Sequence, residues 1–182
     1  MIKISRRAVA TAAAVLAAGT SSVTWVATSA SAATAKPAAQ SSHHIQPCDA
    51  SQLGVWVNAD SGNGTAGTIF YHLDITNTSP WTCYLYGWPG VSARNWAGGQ
   101  LGQPARRIAD VPAKIVNVPP GGTAHAALGY VVAQLSPSCK PATAVALKVY
   151  PPDNKGARQA FFPLPVCTKT WTLTVGRIQR GT

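Results

Sequence analysis

From Leu53 onward the chain alternates apolar and polar positions in short runs, broken by Gly, Pro, Asn and Asp. Period-two patterning of this kind marks strands with one buried face, and the breaks mark turns. Leu53, Val55 and Val57 alternate with Gly54 and Trp56, and Asp60-Ser61-Gly62-Asn63-Gly64 then predicts a turn. Thr68 to Thr76 is the clearest strand. Ile69, Tyr71, Leu73 and Ile75 share one face, and Thr68, Phe70, His72, Asp74 and Thr76 the other. Asn77 to Pro80 predicts a turn, and Trp81 to Tyr86 a returning strand, so a hairpin of these two strands is the simplest arrangement. Gly98-Gly99 marks another tight turn, and Arg106 to Pro112 is irregular and edge-like. Lys114 to Val118 and Thr123 to Val132 flank the turn Pro119-Pro120-Gly121-Gly122. In the second of these strands Ala124, Ala126, Leu128 and Tyr130 form one face, which turns His125 the other way. Val145, Leu147 and Val149 alternate in the next strand, Asp153 to Gly156 turns into Ala157 to Leu164, and Trp171 to Ile178 closes the pattern. About eight short strands at this spacing predict an all-β antiparallel sandwich.

Composition agrees with that class. In 182 residues, 46% are hydrophobic and only 11% charged, against roughly 25% charged in an average soluble domain. Thr, Ser, Gly and Pro take the place of the missing charge, which suits strands and turns better than solvent-facing helices. Glutamate is absent, and the five acids are Asp49, Asp60, Asp74, Asp110 and Asp153.

The first 32 residues carry the three parts of an export signal. Lys3, Arg6 and Arg7 are the basic region, Ala8 to Ala18 the apolar region, and Ala30-Ser31-Ala32 the cleavage site. The apolar run is too short for a bilayer, which needs roughly 20 residues. Ser5-Arg6-Arg7 hints at twin-arginine export, with the general secretory route equally compatible. Residues 33–47 read as a flexible Ala/Ser/Thr/Pro linker, and a domain is expected over 48–180. Cys48, the first cysteine, lies far beyond the cleavage site, so neither a lipid anchor nor a transmembrane segment is expected. The mature chain should be a secreted monomer, extracellular or associated with the cell wall.

Removing Lys3, Arg6 and Arg7 from the formal charge of +10 leaves +7. Outside a cell such a charge favours anionic wall polymers, phospholipid head groups or acidic polysaccharides, and no nucleic-acid partner is expected of an exported chain. The cations are scattered, a pattern that usually marks a solvated surface.

Four cysteines in an exported chain allow three connectivities of two disulfides. Sequence order favours Cys48–Cys83 and Cys139–Cys167, each closing a loop within one half of the chain. Loops of this size stabilise by roughly 3.5–4 kcal/mol each on the chain-entropy account. The spacings match no zinc signature.

These pieces resemble an actinobacterial family known as domain of unknown function 4232. The resemblance is carried by Cys48, by the run from Ala66 to Ser92 with Tyr86-Gly87-Trp88-Pro89-Gly90 inside it, and by Leu101 to Arg106. Pro119 to Ala124, Cys139, Tyr150-Pro151-Pro152 and Cys167 continue it. It implies a secreted or lipid-anchored envelope protein with an immunoglobulin-like β-sandwich, and this chain departs from the anchored members by lacking a lipidation cysteine. The family carries no assigned activity, so no catalytic residues transfer from it.

Candidate chemistry is sparse. His72 and Asp74 share a strand face, but a triad would need a nucleophile, and no Gly-x-Ser-x-Gly elbow is present. A metal site would need further ligands, with His125 the one distant candidate, and His43-His44 in the linker make a poor pair. Counted from Asp60 as position one, position twelve is Tyr71, which excludes an EF-hand loop. No catalytic residue, metal or cofactor is therefore expected. Trp81, Tyr84, Tyr86, Trp88 and Trp96 fall within sixteen residues and offer either core packing or ligand contact. The candidate contacts are Trp96, Trp88, Tyr86 and Arg94. The leading expectation is a non-enzymatic module that binds the cell envelope or another exported protein. A carbohydrate-binding module and a hydrolase of unrecognised type stand behind it. Peptide mapping of the unreduced protein should show the two favoured disulfides; a Cys48–Cys167 peptide would contradict them.

Overall fold

The structure, a computed structural model, describes residues 44–109, 111–132 and 137–181. The expected leader, His43 and most of the expected linker lie outside these residues. The described chain is all-β. Its strands are β1 (Gln46–Pro47), β2 (Leu53–Thr65), β3 (Thr68–Asn77), β4 (Cys83–Tyr86), β5 (Gly90–Arg94) and β6 (Gln100–Leu101). They continue as β7 (Arg106–Arg107), β8 (Ile115–Val118), β9 (Thr123–Val131), β10 (Pro141–Tyr150), β11 (Arg158–Cys167) and β12 (Leu173–Arg180). One 3-10 turn, Ala50–Gln52, sits before β2, capped by the Asp49 carboxylate, which accepts from Ser51 N at 2.8 Å.

A five-stranded sheet, β2-β3-β9-β12-β7, forms one layer. Its β2 touches β11, and its β12 touches β4, β5 and β8. The four-stranded sheet β11-β10-β5-β6 and the three-stranded sheet β1-β4-β8 thus both lie against it, giving a sandwich. One core draws on all three sheets: Leu73, Ile75, Leu128 and Val175 from the first, Leu147 and Val149 from the second, Leu85 and Val118 from the third. Burying each such side chain removes it from water at a gain of about 1.5–3 kcal/mol.

The structure departs from the sequence pattern at four places. Asp60 to Gly64 is not a turn but part of the thirteen-residue β2. A register shift between Asn58 and Asn63 absorbs the extra residues, and Ser61 Oγ donates to Asn58 O while accepting from His72 N. The turn itself is Ala66-Gly67, both at positive φ, the conformation whose twist suits a two-residue hairpin.

Next, β3 does not pair with β4. Both edges of β3 are taken, by β2 and β9, while β4 pairs with β8 and with β1. The Asn77–Pro80 turn carries the chain from one layer to another. In the third departure, Val145 does not join Leu147 and Val149 in the core, because a bulge between Ala144 and Ala146 turns it outward. Lastly, Gln46-Pro47 is not linker but a strand running parallel to Cys83-Tyr84, and β7 likewise runs parallel to β12. The sandwich is therefore antiparallel except at these two short edges. Its nine strands of four residues or more include several of eight or longer, against the eight short ones expected.

Both favoured disulfides are present, Cys48–Cys83 and Cys139–Cys167. The first joins the segment before β2 to β4, beside the bond from Cys48 N to Tyr84 O at 2.9 Å. The second joins the segment just before β10 to the end of β11. Side-chain amides add further ties. Asn154 in the β10–β11 turn donates to Cys48 O at 2.9 Å and accepts from Ala50 N at 2.8 Å. Asn77 is 0% exposed, and its Nδ2 donates to Trp81 O at 2.6 Å and Val118 O at 2.9 Å. Its Oδ1 accepts from Ser79 N at 2.9 Å and Ser79 Oγ at 2.7 Å.

Replacing Asn77 by Ala takes a donor from Val118 O and from Trp81 O, which keeps the Ser79 hydroxyl, and takes the acceptor from the Ser79 N–H. The expected cost is about 3 kcal/mol or more in urea unfolding; a loss below about 1 kcal/mol would show that water replaces the amide freely.

Candidate functional site

The β5–β6 hairpin carries Arg94 and Trp96, two of the residues singled out from sequence. Asn95 builds the loop: its backbone N–H donates to Gly99 O and its carbonyl accepts from Gly98 N, each at 3.0 Å. Its side-chain oxygen accepts from Gly99 N at 2.8 Å, and Gly98 supplies the positive φ of 76°. Trp96 is left at the tip, 89% exposed. Arg94 folds back, donating from Nη1 to Gly98 O at 3.0 Å, while its Nε is buried without a partner.

Beside the hairpin lies a cleft of about 270 Å³ lined by Arg94, Gly98, Lys148, Ala157, Arg158 and Gln159. Register explains the gathering. Lys148 sits opposite Ser92 on β5 and Gln159 on β11, two pairs along from Ala146 opposite Arg94. Lys148 holds its ammonium 4.9 Å from the Tyr150 ring centroid. Arg158 is tied inward, donating from Nε to Leu53 O at 2.7 Å and from Nη2 to Ser51 O. Among the described residues no carboxylate lines the cleft. Sequence reasoning passed over Lys148 and Arg158 as scattered surface cations. The distance along the chain between β5 and β10 hid them, although Lys148 lies out of phase with Leu147 and Val149, which marks an outer face.

The other two singled-out aromatics are not part of this cleft. The Trp88 indole is half-buried and donates from Nε1 to Ile108 O at 2.7 Å. Tyr86 is 47% exposed on β4, opposite Ile115 of β8. Between them Gly87 turns at a φ of 100°, and its carbonyl accepts from Ile178 N at 2.8 Å. The aromatic-Gly-Trp-Pro-Gly turn is therefore packing that joins the sheets.

On the outer face of the five-stranded sheet, register brings His72, Asp74 and His125 together. Asp74 of β3 is opposite His125 of β9, and the two imidazoles stack at 4.4 Å between centroids, 14° from parallel. Trp56 flanks Asp74 on β2, and Gln179 flanks His125 on β12. Among the described residues no set of three His, Cys, Asp or Glu side chains is placed to hold a metal ion. No helix of the described residues is long and apolar enough to cross a membrane.

The sequence profile of a family described as domain of unknown function (DUF4232) matches residues 48–181. The chain belongs to the DUF4232 family. No curated protein matches it, and no solved structure does. The DUF4232 match ends one residue beyond β12 and begins at Cys48, so it spans the sandwich almost from edge to edge, leaving β1 outside.

His125 gives this DUF4232 domain a group whose protonation is coupled to folding. Burial lowers the His125 pKa from 6.5, the neighbouring His72 lowers it further, and Asp74 opposes both. The folded state then binds fewer protons at His125 than the unfolded chain does. Its contribution is complete above about pH 6.5 and is lost as pH falls through that value toward the lower folded pKa. Calorimetry between about pH 8 and 5 should show the melting temperature falling toward acid, less steeply in His125→Gln. Equal slopes in the two proteins would remove His125 from the account.

Proposed function

We propose that this DUF4232 domain is a secreted, non-enzymatic module that binds an anionic polymer of the cell envelope through the cleft beside the β5–β6 hairpin. The observation that carries the reading is the meeting of Arg94, Lys148 and Arg158 around one cleft with no carboxylate in its described lining. Such a site attracts phosphate or carboxylate groups at long range and holds them at short range by charge-assisted hydrogen bonds. The net positive sequence supports the same partner class, and so do the export signal in the first 32 residues and the two disulfides, which persist in oxidising compartments. Trp96, rigidly presented beside the cations, adds an exposed ring at the rim.

Carbohydrate binding through Trp96, Trp88 and Tyr86 together has less support, because the Trp88 indole is committed to Ile108 O. A hydrolase built on His72, Asp74 and His125 lacks support too: the stacked pair rises from the outer face of the sheet, and the four cavities described among residues 44–181 are lined by other residues.

Co-sedimentation of the mature protein with isolated cell wall tests the reading. Binding should be strong near 0.02 M salt and largely lost near ~0.5 M, where the Debye length falls to about 4 Å. A double variant, Arg94→Gln with Lys148→Gln, should bind roughly tenfold more weakly at low salt. Absence of binding at both salts, or binding that ignores both salt and the variant, would overturn it.

A further inference from the structure

The basic cleft has an apolar neighbour on the same sheet face. Phe161 of β11 is opposite Ala146 of β10, which is in turn opposite Arg94 of β5. Gln159, two residues before Phe161, is opposite Lys148, so Gln159, Phe161, Lys148 and Arg94 share one face of the four-stranded sheet. Neighbouring strands stand about 4.8 Å apart, which puts Phe161 about 10 Å across the sheet from Arg94. Phe161 is 77% exposed, and no ring or cation partners it among the described residues. Its neighbour Phe162 points the other way and packs edge-on against Tyr71, with ring centroids 5.0 Å apart. The interior takes one phenylalanine of the pair and leaves the other to solvent.

The residues around Phe161 define what could cover it. A phenyl ring has neither donor nor acceptor, so its partner must bring an apolar surface. Arg94 and Lys148 call for an acid in the same ligand. Gln159 is exposed and lines the cleft, and its uncharged amide can both donate to and accept from hydroxyls. Tyr150 is already committed, because its ring lies 4.9 Å from the Lys148 ammonium and holds that charge in place. Asp153 sits in the β10–β11 turn beyond Tyr150, at the end of this strip away from Phe161. Trp96, 89% exposed at the hairpin tip, offers a second ring beyond Arg94.

We infer that the basic cleft selects a polysaccharide whose sugar units carry acid groups, one ring stacking its C–H face on Phe161. Hydroxyls of that ring meet Gln159, and the acid of the same or the next unit meets Lys148 and Arg94. The inference rests on the proposed reading of the cleft and narrows it to one class of anionic polymer. Charge recruits any polyanion, whereas Phe161 rewards only one with an apolar face. A polyphosphate chain has no such face and leaves the ring in water. Burial of the ring is also a gain that salt does not screen. A cleft admits a single extended chain more readily than the flat surface of a bilayer, and Gln159 suits hydroxyls better than acyl chains.

The test measures, by titration calorimetry on the mature protein, the binding of decagalacturonate, of a polyphosphate carrying the same number of charges, and of phosphatidylglycerol vesicles. Near ~0.1 M salt, decagalacturonate should bind roughly tenfold more tightly than polyphosphate. Phe161→Ala should weaken decagalacturonate roughly tenfold and change polyphosphate by less than about twofold, while Phe161→Tyr restores most of the lost affinity. Because Phe161 is exposed, both variants should melt near the parent temperature. Lys148→Gln should weaken both anions. Equal affinity for the two anions, or indifference of decagalacturonate to Phe161→Ala, overturns the inference and leaves a cleft driven by charge alone. Vesicle binding that depends on Phe161, with none to decagalacturonate, overturns it in favour of a lipid surface. Binding of neither anion removes the reading of the cleft together with the inference.

Discussion

A fully buried amide at Asn77 sits at the point where the chain leaves the five-stranded sheet for the three-stranded one. A polar side chain with no access to water must satisfy every donor and acceptor internally, or cost about 1–3 kcal/mol for each failure. Asn77 does so with both ends of its amide, to Trp81 O, Val118 O and Ser79, and with its backbone to Gly121 and Gly122. Two turns far apart in sequence are locked into one assembly by a single residue, through its side chain and its backbone. The crossing of β3 to β4 and the approach of β8 to β4 both rest on that lock.

The disulfides and Asn154 act on the same principle from the opposite direction. Cys48–Cys83 ties the entry of the domain to β4, and Asn154 ties the β10–β11 turn to the Cys48 carbonyl and the Ala50 N–H. With few ion pairs available to so uncharged a sequence, position is fixed by covalent links and amide hydrogen bonds. Among the cations, Arg158 holds the start of β2 through its bonds to Leu53 O and Ser51 O, and Arg94 braces its own loop at Gly98 O. Arg94 and Lys148 face a cleft with no carboxylate in its described lining.

Some elements were legible at once from local pattern. β3, β9 and the Pro119–Gly122 turn follow from alternation and turn residues, and the faces read for β9 hold: Ala124, Ala126, Leu128 and Tyr130 are buried while His125 points outward. The misreadings share a cause. Asp60 to Gly64 has the composition of a turn, yet a bulge lets the strand run through it, and Ala66-Gly67 turns instead. Local composition reports what a segment tolerates, whereas the bulge is chosen by the register of β2 against β3. Likewise, Val145 continues an alternation that the bulge at Ala144/Ala146 interrupts.

Class, the number of disulfides and most strand faces were determined by the sequence alone, because they depend on side-chain period and on cysteine number in a chain read as exported, while the pairing of the cysteines was favoured by sequence order and decided by the fold. Which strand pairs with which was decided only in three dimensions. The β3–β4 hairpin is locally the shortest connection, but both edges of β3 are filled, by β2 and β9. The same holds for the candidate sites. Arg94 and Trp96 could be singled out one by one, while the meeting of Arg94 with Lys148, of His72 with His125, and of Phe161 with Arg94 across β10 joins residues whose neighbourhood no linear pattern encodes.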